Sequence, residues 1–106
     1  MTYENKIEPE DCAGMADIRA EIDRMDKDII AILGKRFDYV KAASKFKISK
    51  TSVRAPDRVT DMLQKRRAWA EAEGLNPDVI EKIYRDLVAY FIKAEMEKWE
   101  AETKTG

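Results

Sequence analysis

Histidine is absent from this sequence of 106 residues, and cysteine occurs only once, at Cys12. These absences exclude disulfide frameworks, zinc sites of the usual Cys and His kind, and every catalytic triad that depends on histidine. Phosphate-binding glycine loops are lacking as well. We therefore expect neither a metal site nor a bound cofactor, and we do not expect a hydrolase of the triad type.

Long apolar runs and an excess of positive charge are also lacking. The acidic amino terminus, MTYENKIEPED, has no apolar core, and no other stretch is apolar enough to span a bilayer. The 20 Lys and Arg residues are balanced by 21 Asp and Glu residues, for a net charge of -1. We therefore predict a cytoplasmic protein with no membrane or nucleic-acid partner, which binds any anion through a local cluster of cations.

Glycine and proline are scarce, with four and three occurrences, and they divide the sequence into three segments that each have helical periodicity. No segment carries a strand signal. We predict an all-α fold in which residues 1–106 form a single domain. Because a domain of this size leaves much of its surface exposed, we also expect a homo-oligomer.

The first helix is predicted to be very long. Its apolar residues follow an alternating spacing of three and four, through Met15, Ile18, Ile22, Met25, Ile29, Ile32, Tyr39, Ala43 and Phe46. Asp11 is the candidate cap of this helix. The pattern fades over residues 48–52, where Ser, Thr and β-branched residues lower helix propensity, so we expect a loop at about residues 48–55.

Two shorter helices are predicted to follow. One should begin near Pro56 and stop at Gly74, and the other should open at Asn76-Pro77-Asp78 and run toward Trp99. Two shorter helices cannot cover the apolar stripe of a first helix roughly 50 Å long, so a second copy of the chain is expected to cover part of it. A coiled coil without chemistry is the alternative interpretation of the same pattern.

Cations interrupt the apolar stripe of the first helix. Arg36 takes the next core position after Ile32, where a guanidinium needs either an acid of the protein or an anionic ligand, and the pattern leaves both open. Lys47, eleven residues later on the same predicted helix, should project from the same face about 16 Å away. Arg19 lies about 25 Å before Arg36 and is turned by roughly 100°, so a functional Arg19 is expected to reach the site of a partner subunit.

Further charges lie near the start of the second helix and on the third. Arg54 and Arg58 flank a predicted helix N-terminus, where free N–H groups also favour an anion. Glu95 follows Phe91 by four residues and so lies on the inward row of its helix. Burial among apolar groups raises the pKa of such a carboxyl, whereas a neighbouring cation lowers it, and the sequence leaves both directions open.

A family resemblance is carried by four segments that follow one another in a characteristic order and spacing: ADIRAEIDRMDKDII, KRFDYVKAASKFK, APDRV and a C-terminal apolar helix. Together they resemble the helical chorismate mutase family. The leading PEDC, followed by AGMADIR and DYVKAASKFK, resembles most its isochorismate pyruvate lyase branch. The resemblance covers the chain from about Pro9 to Trp99.

The resemblance implies an intertwined homodimer with two equivalent active sites, each completed by an arginine of the other chain. Arg19 matches that cross-subunit arginine, Arg36 matches a buried arginine that grips a substrate carboxylate, and Arg58 matches the arginine at the head of the second helix. Lys47 matches the lysine beside the ether oxygen of the breaking bond. Glu95 falls where the family usually has glutamine, near the same oxygen.

Two departures from the family pattern bear on the reaction. Chorismate mutases commonly have an acidic residue just after the arginine of the second helix, whereas here Val59 follows Arg58 and Ala55 follows Arg54. This favours the lyase branch, which implies cofactor-free cleavage of the dicarboxylate isochorismate into salicylate and pyruvate by a concerted elimination. The second departure is Glu95, because a carboxyl group donates to an ether oxygen only when it is protonated.

The predicted site therefore has two catalytic side chains and four substrate-binding arginines: Lys47, Glu95, Arg19, Arg36, Arg54 and Arg58. Chorismate mutase activity, which forms prephenate from chorismate, is the alternative reaction, and weak mutase activity alongside the lyase is expected. A non-catalytic helical dimerisation module is the alternative of another class. The lyase branch also implies that the salicylate serves siderophore synthesis.

Overall fold

The computed structural model describes residues 3–105, and within this range the chain is helical apart from turns, bends and short irregular stretches. A 3₁₀ turn, Pro9–Asp11, precedes helix α1, Met15–Ala43, and a second 3₁₀ turn, Ser44–Phe46, follows it. Helix α2 spans Lys50–Arg54, α3 spans Pro56–Ala72 and α4 spans Pro77–Thr105. The all-α prediction is confirmed. None of the helices within residues 3–105 is long and apolar enough to cross a membrane.

Helix α1 begins and ends inside its predicted limits. Asp11 is not its cap, because Asp11 belongs to the preceding 3₁₀ turn, and the carbonyl of Gly14 accepts the first backbone hydrogen bonds of the helix. The helix stops at Ala43 rather than continuing past Phe46. There the hydroxyl of Ser44 donates to the carbonyl oxygen of Lys41 (2.8 Å), which occupies a backbone acceptor of the last turn.

The loop predicted for residues 48–55 contains a helix, so that prediction is wrong in part. The side chain of Ser49 caps α2 by accepting a hydrogen bond from the backbone N–H of Ser52 (3.1 Å). In return, the hydroxyl of Ser52 accepts a hydrogen bond from the backbone N–H of Ser49 (3.0 Å). This reciprocal capping satisfies free N–H groups at the start of a five-residue helix. Ala55 then takes a left-handed conformation (φ 42°) between α2 and α3, and Pro56 begins α3 as predicted.

The chain divides into two compact units, residues up to Arg36 and residues from Phe37 onward. The assignment of residues 1–106 to one domain stays a prediction. In the first unit the backbone N–H of Lys6 donates to Glu21 (3.3 Å), whose carboxylate also pairs with Arg24. Glu21 is buried, whereas the apolar stripe of α1 is largely exposed over Met15, Ile18, Ile22, Ile29 and Ile32.

The second unit has a hydrophobic core between α3 and α4. Met62, Leu63 and Val88 are buried at its centre, and further apolar side chains pack against them: Val59, Tyr84 and Ile92. Phe37, at the start of this unit, stacks on Phe91 of α4 with ring centroids 4.9 Å apart. These contacts fix α4 against both α3 and the end of α1 within the unit.

The connection between α3 and α4 follows the predicted stop and start signals. The N–H of Leu75 donates to the carbonyl of Ala70 (2.8 Å) around Gly74, which has the positive φ of 75° that this type of helix ending requires. Asn76 caps α4 by accepting from the N–H of Asp78 (2.9 Å). Helix α4 continues to Thr105, past the predicted end at Trp99, and at 29 residues it equals α1 in length.

Candidate active site

Lys47 lies outside α1, which changes the predicted geometry of the site. It follows the 3₁₀ turn in an extended conformation (φ -91°, ψ 138°), and its backbone N–H donates to the carbonyl of Ser44 (3.1 Å). The predicted shared helix face of Arg36 and Lys47 is therefore wrong, because the helix ends four residues before Lys47. The Lys47 side chain is mostly covered, and Nζ donates to the carbonyl oxygen of Ser52 (2.9 Å).

Glu95 of α4 meets Lys47 inside the second unit. The glutamate is only 4% exposed, as its position on the inward row predicts. Its Oε2 lies 3.8 Å from Lys47 Nζ and accepts no hydrogen bond within the described residues. Burial raises the pKa of the Glu95 carboxyl, and the opposing charge of Lys47 lowers it by less, so the pKa is above its usual value.

The pair offers a specific chemistry to a ligand. A protonated carboxyl is a hydrogen-bond donor, and the neighbouring ammonium supplies positive charge in a partly desolvated setting. Both groups suit an oxygen on which negative charge develops. Among residues 3–105 there is no group of three or more His, Cys, Asp or Glu side chains placed to hold a metal ion.

The four predicted arginines are distributed over three helices. Arg19 and Arg36 lie on α1 in the first unit, where Arg19 is exposed and Arg36 is half-buried. Arg54 is the last residue of α2 and Arg58 lies in the first turn of α3, both exposed. Of the six predicted site residues, the structure brings Lys47 and Glu95 into contact with each other.

Arg54 lines a groove of about 580 Å³ in the second unit. The remaining lining comes from α3 and α4: Pro56, Val59, Ala89, Ile92, Lys93, Met96 and Glu97. Neither Lys47 nor Glu95 is part of this lining. Glu97, which lines the groove, lies about 200° around α4 from Glu95, so the groove wall extends to the side of the helix opposite Glu95.

Sequence reasoning missed the residues that hold Lys47 in place. The Ser52 carbonyl binds its Nζ, and the indole Nε1 of Trp99 donates to its carbonyl oxygen (2.9 Å). The spacing Ser49-x-x-Ser52 is the signal that was available for the α2 cap. For Trp99 the available signal was its position four residues after Glu95, on the same face of α4.

Comparison with known proteins identifies the family. Residues 18–96 match the model of chorismate mutase type II. The chain is 47% identical over 91 residues, 86% of its length, to isochorismate pyruvate lyase of Pseudomonas aeruginosa, of which the match covers 90%. It is also 38% identical over 72 residues (67% of the chain) to the T-protein of Haemophilus influenzae, and 32% identical over 87 residues (81% of the chain) to that of Enterobacter agglomerans. These matches cover 19% and 23% of the two T-proteins. The chain belongs to the chorismate mutase type II family.

Proposed function

We propose that this protein is an isochorismate pyruvate lyase, which converts isochorismate to salicylate and pyruvate without a cofactor. The observation that carries the proposal is the 47% identity to a lyase of that name over 86% of the chain. The contact between Lys47 and Glu95 supports it, because this reaction needs stabilisation of an ether oxygen and no nucleophile.

In the proposed mechanism the bond between the ring carbon and the ether oxygen breaks while a ring hydrogen moves to the terminal carbon of the enolpyruvyl group. The ring becomes the aromatic ring of salicylate, and the departing group becomes pyruvate. Negative charge develops on the ether oxygen as the bond breaks. Lys47 stabilises that charge, and protonated Glu95 donates a hydrogen bond to the same oxygen.

The arginines are proposed to bind the two carboxylates of the substrate and to hold its side chain over the ring. Arg36, Arg54 and Arg58 would contribute from one chain, and Arg19 from the other. Holding a flexible substrate in a reactive conformation accounts for a large part of catalysis in a unimolecular reaction. The half-burial of Arg36 supports its role, because an anionic ligand would meet a guanidinium that is already partly desolvated.

We propose further that the active form is an intertwined homodimer. The exposed apolar stripe of α1 supports this, since side chains such as Ile22 and Ile29 are about half exposed. A test is to mix Arg19→Ala and Lys47→Ala chains after unfolding and refolding them together. If each site combines Lys47 of one chain with Arg19 of the other, random pairing restores about a quarter of wild-type activity from two inactive parents. Activity no higher than that of the parents would contradict the shared site.

The direct test of function is incubation with purified isochorismate, followed by the fluorescence of salicylate. We expect salicylate from the wild type and from a Lys82→Ala control, whose side chain is exposed on α4, and a large loss for Lys47→Ala. Incubation with chorismate tests the second reaction, which family membership favours, and we expect prephenate at a lower rate. Prephenate as the faster product would replace the lyase assignment with a mutase assignment.

A non-catalytic helical dimerisation module is the competing class. That alternative requires inward cations to be neutralised by protein acids. Lys47 Nζ lies within ion-pair distance of Glu95 Oε2 (3.8 Å), but burial raises the pKa of that carboxyl and so weakens the pairing. A dicarboxylate mimic of the transition state should raise the melting temperature of an enzyme and leave that of a module unchanged. The cytoplasmic location and a role in siderophore synthesis stay predictions.

A further inference from the structure

The last turns of α4 hold the chain segment that carries Lys47. Three separate contacts join residues 98–102 of α4 to residues 44–50. The first is a hydrogen-bonded cluster around the buried hydroxyl of Ser44, and the second is a hydrogen bond from the indole N–H of Trp99 to Lys47. The third is an ion pair between Lys50 and Glu100 at 3.8 Å. The ion pair is solvent-exposed and contributes little, so the first two contacts carry the attachment.

The hydroxyl cluster is centred on Ser44, which is 1% exposed. Its Oγ accepts from Nζ of Lys98 (3.1 Å), and the same ammonium pairs with the carboxylate of Glu102. The hydrogen bond from Lys98 lowers the pKa of the Glu102 carboxyl, so this carboxylate stays charged and keeps the lysine in place. The cluster therefore fixes the turn that starts three residues before Lys47.

The indole contact acts on Lys47 itself. Nε1 of Trp99 donates to the Lys47 carbonyl oxygen at 2.9 Å, across 52 positions of sequence. Lys47 itself lies outside the helices, between the 3₁₀ turn and the cap of α2. With its N–H bound to Ser44 and its carbonyl bound to Trp99, the peptide units on both sides of Lys47 are held. The ammonium then reaches Glu95 from a defined backbone position.

The position of these residues in the sequence is informative. The match to the chorismate mutase type II model ends at residue 96, whereas Lys98, Trp99 and Glu102 lie beyond it. Residues outside the family match therefore hold the segment on which the proposed catalytic lysine lies.

We propose that Trp99 is a positioning residue, whose indole N–H holds the Lys47 backbone so that its ammonium meets the ether oxygen of the substrate. This inference rests on the proposed lyase function. A displacement of about 1 Å in a catalytic group costs up to roughly 100-fold in rate, so a hydrogen bond that fixes the backbone of this group has a large effect on kcat. A purely structural Trp99 would instead affect stability and leave kcat of the folded protein unchanged.

Trp99→Phe tests the hydrogen bond, since phenylalanine keeps an aromatic ring and removes the N–H donor. Trp69→Phe is the matched control, because Trp69 is 57% exposed on α3. We expect kcat to fall by roughly 10- to 100-fold in Trp99→Phe with KM little changed, and no fall in the control. In a Lys47→Ala background Trp99→Phe should cause no further loss, because its effect acts through the missing ammonium. An unchanged kcat, or an equal loss in both backgrounds, would overturn the proposal.

Hydrogen exchange in the wild type keeps the proposal testable if Trp99→Phe does not fold. In the wild type, the indole N–H of Trp99 should exchange more slowly than that of exposed Trp69. Where Trp99→Phe folds, amides of residues 47–53 should also exchange faster in it than in Trp69→Phe. Equal exchange at the two indoles would contradict the hydrogen bond. Absence of salicylate from the wild-type assay would remove the lyase function but not this result, so the two failures are distinguishable.

Discussion

The two units of the chain differ in how they use their apolar residues. In the unit that ends at Arg36, the one buried residue among those described is the charged Glu21, and the apolar stripe of α1 is exposed. In the unit from Phe37 onward, α3 and α4 enclose a core around Leu63 and Val88, and the Lys47 and Glu95 pair lies in the same unit. The second unit has a core formed within one chain, whereas the first presents an amphipathic helix without a core. This contrast supports the proposal that the first unit needs a second copy.

The largest expected effect concerns the chemistry in the second unit. Lys47→Ala should lower kcat by about 10²–10³-fold, in the range found when one donor to a developing oxyanion is removed, with a much smaller change in KM. Steady-state kinetics with isochorismate measures both constants. A loss that appears only in KM would assign Lys47 to substrate binding and contradict its role at the ether oxygen.

The next effect concerns the exposed stripe of the first unit. Ile29→Asp places a carboxylate on the stripe and should shift the protein from about twice the chain mass of 12.2 kDa to a monomer, with loss of activity. Light scattering after size exclusion measures the mass. Lys27→Asp adds the same group about 200° around α1, where Lys27 is exposed, and should leave the dimer intact. Dissociation by both substitutions, or by neither, would remove the argument from the stripe.

A smaller effect concerns the protonation of Glu95. Because burial raises the pKa of this carboxyl, the folded protein keeps the proton above the usual carboxyl range and loses it around the raised value, so activity should fall as pH rises through that value. The stability of the folded protein should fall as pH rises from the usual carboxyl range to the raised value, since the native state binds the proton more tightly than the unfolded chain.

Glu95→Gln keeps a hydrogen-bond donor at every pH and should flatten the fall in kcat. The exposed Glu71→Gln variant serves as control and should retain the wild-type profile. The measurement is kcat across the pH range for the three proteins. A Glu95→Gln profile that matches the wild type would remove Glu95 from the mechanism.

The smallest effect concerns the backbone between α2 and α3. Ala55 has a left-handed conformation (φ 42°), which costs an L-residue about 1–2 kcal/mol. Glycine adopts this conformation without steric strain, but on folding it loses conformational entropy worth about 0.5–1 kcal/mol more than alanine does. Ala55→Gly should therefore raise the free energy of unfolding by about 0.5–1 kcal/mol. Ala68→Gly, inside α3, should lower it by a similar amount. Urea denaturation measures the free energy of unfolding of both variants. A lower value for Ala55→Gly than for the wild type would show that the substitution relieves no backbone strain.

Sequence reasoning was most successful where local signals and tertiary contacts agree. The α3 stop at Gly74, the Asn76 cap and the start of α3 at Pro56 were all predicted, because capping groups act over three or four residues. The inward position of Glu95 also followed from helical spacing. The short helix α2 was missed, because its serines were interpreted as helix breakers rather than as a cap.

The sequence alone determined that this chain is helical, where α3 and α4 begin, and which family it resembles, because periodicity, caps and motif spacing are properties of neighbouring residues. Only the tertiary structure decided that Lys47 leaves the helix, that it meets Glu95, and that burial outweighs the nearby cation in setting the pKa of that carboxyl. The last two outcomes depend on a contact between residues about fifty positions apart. Their distances and desolvation follow from how α4 packs against the segment before α2.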